Sequence, residues 1–237
     1  MSEIISAYPY SEAYVNEPPK IDWNRLRSRG WASFNLPVLS ESIFREQLSA
    51  IAAKIGTPVA TRSSKSLCDT LVPITSSNAK AKSLSKIYDI GELPLHVDTA
   101  HWSTPCHYVI LACVNPGSAR RPTLLMDSQT LCLGSRQTEL LFSSPFRVKN
   151  GRKSFFSTIM SKGRPFIRFD PGCMTPTSLG GAKALNFFSR QNLLKYVEAF
   201  YWQAGGVVII DNWRVLHGRA ATDLSDSDRK LLRFSIV

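Results

Sequence analysis

Three residues of this chain have the types and spacing expected of metal ligands. His96 and Asp98 are separated by one residue and lie on or just after a segment predicted to be a β-strand. Because side chains alternate between the two faces of a strand, the two are expected to point to the same side. Far downstream, His217 follows directly on the run over 207–216. Together these residues would supply two imidazoles and one carboxylate.

This set of donors is typical of non-haem Fe(II) oxygenase sites, in which the three ligands occupy one face of an octahedral ion. Three positions then stay open, two for a chelating 2-oxo acid and one for oxygen. A pair of this spacing with a distant histidine also occurs when the histidines merely pack in a core or face solvent. The pattern therefore needs support from other residues.

That support comes from the residues around His217. The segment Asp211–Arg219 reads DNWRVLHGR and resembles the "DNxRxLHGR" segment of the taurine dioxygenase-like (TauD/TfdA) family of Fe(II)/2-oxoglutarate-dependent oxygenases. The resemblance covers roughly residues 30–237 and is most specific over 93–98 and 205–234. It implies that His96, Asp98 and His217 are the iron ligands and the catalytic centre. It also implies Fe(II), 2-oxoglutarate and O2 as cofactor and cosubstrates, with release of succinate and CO2.

The resemblance also implies residues that bind the cosubstrate and the substrate. Arg229 lies twelve residues after the third ligand, where the family has the arginine that binds the distal carboxylate of 2-oxoglutarate. Thr123 fits the place of the threonine that assists it. Arg233 stands where the family has an arginine that can hold an anionic group of the substrate. His101 and Trp102, close after the ligand pair, are candidates for the substrate pocket, with core packing as the alternative for Trp102.

The chemistry of arginine agrees with these roles, because its planar fork matches a carboxylate through two parallel hydrogen bonds. Arg229 and Arg233 are four residues apart in a predicted strand, so they share a face. We therefore expect a small polar substrate, anionic or amino-acid-like, either free or attached to an acidic carrier protein. The family's halogenases lack the ligand carboxylate, so the presence of Asp98 favours hydroxylation, with desaturation or ring formation as alternatives.

Several other residues could be mistaken for functional groups. His101, Cys106 and His107 are close in sequence, but their spacing fits no zinc template well, and structural or pocket-wall roles are expected for them. Arg219 belongs to the family segment and is expected to be structural. Arg168 lies in a predicted strand over 166–169 and could face the pocket.

The elements that must position these residues are mostly strands. Short β-branched and aromatic runs broken by Pro and Gly predict strands over 93–98, 108–114, 123–127, 166–169, 207–211 and 231–236. Apolar periodicity predicts helices over 42–55 and about 182–201, the first capped by Ser40 or Ser42 and ended by Gly56. The Ser- and Lys-rich segment 61–86 is expected to be a loop. The fold class is therefore mainly β with flanking helices, a double-stranded β-helix (jelly-roll, cupin-like) core.

Composition limits the remaining choices. With 237 residues, the chain suits an N-terminal arm over 1–20 and a single domain over 21–237. The five cysteines form no CxxC pair, which disfavours a zinc knot or a disulfide framework. No signal peptide is evident and the apolar runs are too short for a bilayer, so we expect a cytoplasmic protein without a membrane partner. The oligomeric state stays open.

The net charge of +11 favours anionic partners, although no basic run is longer than Arg120-Arg121. Two alternatives remain. A nucleic-acid demethylase with the same iron chemistry is disfavoured because no basic–aromatic platform is evident. A non-catalytic jelly-roll binding protein is disfavoured because all the ligands and both arginines are present. The sequence departs from the family in a short span between His96 and His217, and in Gly206, where relatives often carry an acid.

Overall fold

The structure, a computed structural model, describes residues 20–61, 65–79, 84–188, 190–221 and 226–237. The arm predicted for 1–20 lies outside these residues except for Lys20. The helices described are α1 (Trp23–Arg29), α2 (Glu41–Ile55), α3 (Leu84–Tyr88), α4 (Ser135–Ser143), α5 (Leu179–Phe187) and α6 (Arg190–Leu193). The strands described are β1 (Trp31–Asn35), β2 (Pro58–Val59), β3 (Cys68–Leu71), β4 (Leu93–His96), β5 (Tyr108–Asn115), β6 (Thr123–Asp127), β7 (Phe146–Asn150), β8 (Lys153–Ser157), β9 (Met174–Pro176), β10 (Val197–Phe200), β11 (Gly206–Asp211), β12 (Val215–Arg219) and β13 (Lys230–Ile236).

These strands form three antiparallel sheets. The six-stranded sheet has the order β1-β11-β5-β13-β2, and β3 also pairs with β13. The four-stranded sheet has the order β10-β6-β12-β4, and a smaller sheet has the order β8-β7-β9. Consecutive strands β11 and β12 lie in different sheets, so the chain crosses between the two larger sheets at the turn over 212–214.

The hydrophobic clusters show how these layers stack. One cluster joins Val109, Leu111 and Val208 of the six-stranded sheet to Leu125 and Val215 of the four-stranded sheet. The two larger sheets therefore pack face to face, which is the jelly-roll core that the sequence predicted. The outer face of the six-stranded sheet is covered by α1 and α2. The outer face of the four-stranded sheet packs against the small sheet, α4 and α5.

Helix α2 illustrates how local sequence produces these elements. The Ser40 side chain accepts a hydrogen bond from the backbone N–H of Ile43 at 3.2 Å and so caps the first turn. Phe44, Leu48 and Ile51 recur at helical spacing and are buried against the six-stranded sheet. Gly56 follows the last residue. The helix, its cap at Ser40 and its end were all predicted correctly.

Three predicted elements were wrong in part or in whole. The helix predicted over 182–201 ends as α6 and a 3-10 turn at Leu194–Tyr196, and Val197–Phe200 instead pairs with β6. Tertiary pairing prevails there over local helical pattern. The segment 166–169 is irregular, although its backbone bonds to neighbouring segments. The predicted loop over 61–86 contains β3, which pairs with β13, and the beginning of α3.

None of the helices in the described part of the chain has the length and apolar character needed to cross a lipid bilayer.

Candidate metal centre

Two neighbouring strands bring the predicted histidine ligands together. His96 is the last residue of β4, and it lies directly opposite His217 of β12 in the antiparallel register. This pairing requires close contact at Gly218, where a Cβ atom would lie 2.7 Å from the carbonyl oxygen of Leu93. Glycine therefore follows His217 because a larger residue would push β12 away from β4.

The three side chains meet in a small buried space. Nε2 of His96 lies 3.7 Å from Asp98 Oδ1, and Nε2 of His217 lies 3.8 Å from Asp98 Oδ2. The two imidazole centroids are 4.7 Å apart. One nitrogen or oxygen of each residue can be chosen so that all three lie within 4.8 Å of one another. Among the described residues, this is the group of His, Cys, Asp and Glu side chains close enough to share a metal ion.

Asp98 is held in place by a short turn after β4. Asn212 accepts a hydrogen bond from the backbone N–H of Asp98 at 2.8 Å and donates to its carbonyl oxygen at 3.1 Å. The same amide donates to the carbonyl of Cys106 at 2.8 Å. Thr99, with φ of 55°, donates to the Asp98 carbonyl at 2.7 Å and accepts from the Cys106 N–H at 2.7 Å. The backbone at Asp98 is therefore fixed by Asn212, from the turn between β11 and β12, and by Thr99.

The protonation states suit metal binding. Burial raises the pKa of Asp98, but the Arg233 guanidinium and the two imidazoles more than offset it and hold this pKa far below its usual range. Burial, and then the charge of His96, lowers the pKa of His217 to about 3. Burial also lowers the pKa of His96, but the adjacent Asp98 carboxylate outweighs it and raises this pKa. The Asp98 carboxylate is therefore anionic and the His217 imidazole is neutral, whereas His96 binds a proton more tightly than an ordinary histidine does.

The donor set fits a divalent first-row transition metal. Nδ1 of His96 lies 2.9 Å from the carbonyl oxygen of Pro94, which places the proton on Nδ1 and leaves Nε2 free to bind a metal. Nε2 of His217 also faces Asp98. Two nitrogens and one carboxylate converge from one side, as a facial iron site requires.

Arg233 lies against the proposed ligand Asp98. Its Nη1 donates to Asp98 Oδ1 and Oδ2 at 3.0 and 2.9 Å, and its Nη2 donates to Asp69 Oδ2 at 2.8 Å and Thr61 Oγ1 at 3.2 Å. Nε of Arg233 is buried and has no acceptor among the described residues. The guanidinium therefore braces the ligand carboxylate and keeps one N–H available.

A second cluster of buried charge surrounds Arg229. Burial, and then the charges of Arg121 and Arg229, lowers the pKa of Arg219 to about 10, so the three guanidinium groups lie near one another. Asp226 is the buried carboxylate among them. The Nε atoms of Arg121 and Arg229 are buried without a hydrogen-bond acceptor in the described residues. The cluster therefore carries excess positive charge and unused donors.

Thr123 begins β6 and lies opposite Arg219 in the sheet register. Its hydroxyl oxygen accepts a hydrogen bond from the indole N–H of Trp202 at 2.9 Å. Because an indole is only a donor, the hydroxyl proton of Thr123 is free to donate to another acceptor. Thr123 is the strand partner of Arg219, and the charge of Arg229 lies close enough to Arg219 to lower its pKa. Thr123 and Arg229 therefore both lie near the same residue.

The other residues singled out from the sequence have structural surroundings. Arg219 donates to the carbonyls of Asp89 and Gly91, at 3.0 and 2.6 Å. Arg168 donates to carbonyls of the turn over 100–103. Cys106 is buried in the core between the sheets. His107 stacks between Tyr108 and Trp213.

His101 and Trp102 lie half-buried in the turn over 99–103 that follows Asp98, with their rings edge to face at 6.2 Å. Burial lowers the pKa of His101, so it is mostly neutral at neutral pH. The pair follows Asp98 by three and four residues.

Sequence reasoning assigned no role to several supporting residues. Asn212 and Asp69 lie beside the metal centre, and Trp202, Arg121 and Asp226 lie around Thr123 and Arg229. Asn212 belongs to the family segment Asp211–Arg219, and its amide there is the signal that could have indicated a structural role. Asp69 lies in the segment predicted to be a loop, where no local pattern indicated its role.

Comparison with known proteins gives the following results. Residues 134–235 match the family described as "Taurine catabolism dioxygenase TauD, TfdA family". No curated protein matches the chain, whereas 194 chains of solved structures do. An asparagine oxygenase in complex with Fe(II), 2S,3S-3-hydroxyasparagine and succinate has a TM-score of 0.73 at 17% identity, covering 90% of this chain and 77% of that chain.

Two structures of the non-heme iron oxygenase OrfP are also similar. The complex with Fe and alpha-ketoglutaric acid has a TM-score of 0.63 at 19% identity, covering 82% of this chain and 64% of that chain. The complex with Fe, succinate and (3S)-hydroxy-L-Arg has a TM-score of 0.66 at 18% identity, covering 90% and 77%. At these identities the likeness shows the fold.

Proposed function

We infer that this chain belongs to the TauD/TfdA family and is an Fe(II)- and 2-oxoglutarate-dependent oxygenase that hydroxylates an unactivated C–H bond of a small polar substrate. The observation that carries the proposal is the buried set of His96, Asp98 and His217, whose ligand atoms converge within 4.8 Å. The match of residues 134–235 to the family supports it.

The protein's part in this reaction is to hold the reactants and exclude water. If bound, Fe(II) would activate O2, which is the oxidant. One oxygen atom would enter 2-oxoglutarate, which would leave as succinate and CO2, and the other would enter the substrate. His96, Asp98 and His217 would hold the iron. Arg233 holds the Asp98 carboxylate through its Nη1, and Asn212 holds the Asp98 backbone, as supporting groups around metal sites do.

The cosubstrate is proposed to place its distal carboxylate in the cluster around Arg229. Three buried arginines there face one buried carboxylate, Asp226. A bound carboxylate would supply the missing negative charge and accept from the unused Nε–H of Arg229. The free hydroxyl proton of Thr123 is a second donor.

The substrate is proposed to be anionic or amino-acid-like and to bind beside Arg233. The buried Nε–H of Arg233 is an unused donor next to the iron ligands, which suits a carboxylate or another anionic group. His101 and Trp102 would form part of the pocket wall. The neighbouring structures with hydroxyasparagine and hydroxyarginine support an amino-acid substrate.

An anaerobic titration with Fe(II), with and without 2-oxoglutarate, tests the proposal. A weak charge-transfer band in the visible spectrum is expected only when both are present. His96→Ala should abolish the band. His107→Ala is the matched control, because His107 stacks outside the ligand group and its loss should leave the band unchanged.

Succinate release then identifies the substrate from a panel of free amino acids, other small anions and carrier-bound amino acids. Stimulation by one panel member, with a mass increase of one oxygen atom, is the expected result. The absence of both the band and measurable iron affinity would instead indicate a binding protein that has kept only the fold.

A further inference from the structure

The basic charge of this chain is concentrated in one segment outside the metal centre. Residues 140–169 contain seven Lys and Arg residues and no Asp or Glu, within a chain whose net charge is +11. This segment includes the β7–β8 hairpin and the irregular stretch that follows it. Such a local excess of positive charge attracts anions.

The segment lines a cleft of about 840 Å³. Its cations are Lys153, Arg164 and Arg168, and five Ser or Thr hydroxyl groups lie among them. Phe155 adds an aromatic surface, and the Arg168 guanidinium carbon lies 5.0 Å from the centroid of its ring. A space of this size accommodates an organic molecule rather than a single small ion.

The two arginines in the cleft have no carboxylate partner in the described residues. Arg168 is 1% exposed and donates to the neutral carbonyls of Ala100, Trp102 and Ser103, while its Nε has no acceptor. Arg164 donates to the Ser157 hydroxyl at 2.8 Å and to the Thr158 carbonyl at 2.8 Å, also neutral groups.

These two cations also lie close together. Each guanidinium carbon is 5.2 Å from the centroid of the Phe166 ring. Burial, and then the positive charge of Arg164, lowers the pKa of Arg168 to about 10. By contrast, Arg214, Arg233 and Arg121 each lie within 4 Å of a carboxylate. Paired, desolvated cations without an anion are costly, so the cleft is built for a negative ligand.

We propose that this cleft binds an organic phosphate, with its phosphate group between Arg164 and Lys153 and the buried positive charge of Arg168 in the wall beneath them. Guanidinium forks and hydroxyl groups are the donors that suit the oxygens of a phosphate. The ring of Phe155 suits a planar or apolar remainder of the ligand. Arg168 also holds the turn that follows Asp98, so the ligand would lie behind one wall of the metal centre. The assignment does not rest on the iron chemistry.

The test is calorimetric titration of the metal-free full chain with inorganic pyrophosphate and with ADP, which carries an aromatic base. Both are expected to bind, ADP more tightly. The variant Arg164→Gln, Lys153→Gln should weaken ADP binding at least tenfold. Arg168 is left unchanged, because its loss would release the turn over 100–103.

The matched control is Arg147→Gln, Lys149→Gln, which removes two exposed cations of the same hairpin that do not line the cleft. This control should change the ADP dissociation constant less than twofold. Absence of binding at 10 mM pyrophosphate or ADP overturns the proposal. So does equal weakening by both double variants, or a twelve-residue oligothymidylate that binds while ADP does not, because these results indicate a diffuse nucleic-acid-binding surface.

Discussion

Replacement of Asn212 by alanine should reduce both the stability of the fold and its affinity for metal. The Asn212 side chain is fully buried and satisfies three backbone groups, the N–H and carbonyl of Asp98 and the carbonyl of Cys106. Alanine leaves two of them, the Asp98 N–H and the Cys106 carbonyl, without their partner in the core, whereas the Asp98 carbonyl keeps its hydrogen bond from Thr99. Because each unsatisfied buried group costs about 1–3 kcal/mol, we expect a loss of about 2–6 kcal/mol in the free energy of unfolding.

The effect on metal binding has a separate physical reason. Without Asn212 the turn that carries Asp98 is free to shift, and loss of such a supporting contact typically weakens metal affinity by about 10–100-fold. Urea denaturation of the metal-free protein measures the first effect. Titration with Co(II), a spectroscopically visible stand-in for Fe(II), measures the second.

Asn24→Ala is the control, because Asn24 is exposed and only accepts a surface hydrogen bond from Arg27. It should change stability by less than about 0.5 kcal/mol. If Asn212→Ala is as stable as the wild type, the hydrogen bonds contribute little and the reasoning is wrong. If it is destabilised but binds Co(II) normally, Asn212 does not position Asp98.

Three further predictions concern the same centre. Gly218→Ala should lower the melting temperature by several degrees, because the new Cβ atom would lie 2.7 Å from the Leu93 carbonyl oxygen. The control Gly163→Ala should not lower it, because the space around Gly163 is open. Equal melting temperatures of the two variants would contradict the packing argument. Arg233→Gln should raise the substrate KM more than the 2-oxoglutarate KM. It should also weaken Co(II) binding, because Arg233 contacts the Asp98 carboxylate. A selective rise in the 2-oxoglutarate KM would mean that the roles proposed for Arg229 and Arg233 must be exchanged. Co(II) affinity should fall as the pH is lowered from 8 to 6, because the pKa of His96 is raised and a proton then competes with the metal for this ligand. The expected loss of affinity is about tenfold per pH unit below that pKa. His217, with its pKa at about 3, stays neutral over this range, and an affinity that does not change with pH would refute the prediction.

The ligand set could be predicted from the sequence because its chemistry is written in short local patterns. His96 and Asp98 are two residues apart at the end of a strand, so their common direction follows from strand geometry alone. His217 lies in a segment, Asp211–Arg219, that resembles the corresponding segment of a known family. Strands β5, β6, β11 and β13 were recognisable because their apolar runs are buried from both sides.

The errors have a common cause, which is that pairing partners far apart in sequence determine the structure. Val197–Phe200 has a helical pattern but is a strand because β6 offers it an edge. Cys68–Leu71 lies in a polar segment, yet it pairs with β13 and brings Asp69 to Arg233. Neither pairing strand, β6 or β13, can be identified from the residues adjacent in sequence.

The sequence by itself determined which residues are the candidate metal ligands and that strands dominate the fold, because residue type and period are local properties. Only the tertiary structure decided what surrounds those ligands. It placed Arg233 on the Asp98 carboxylate, Asn212 behind the turn, and two arginines without carboxylates in a separate cleft. Charge compensation and hydrogen-bond satisfaction depend on distances between residues remote in sequence, and the chain sets those distances only when its sheets pack together.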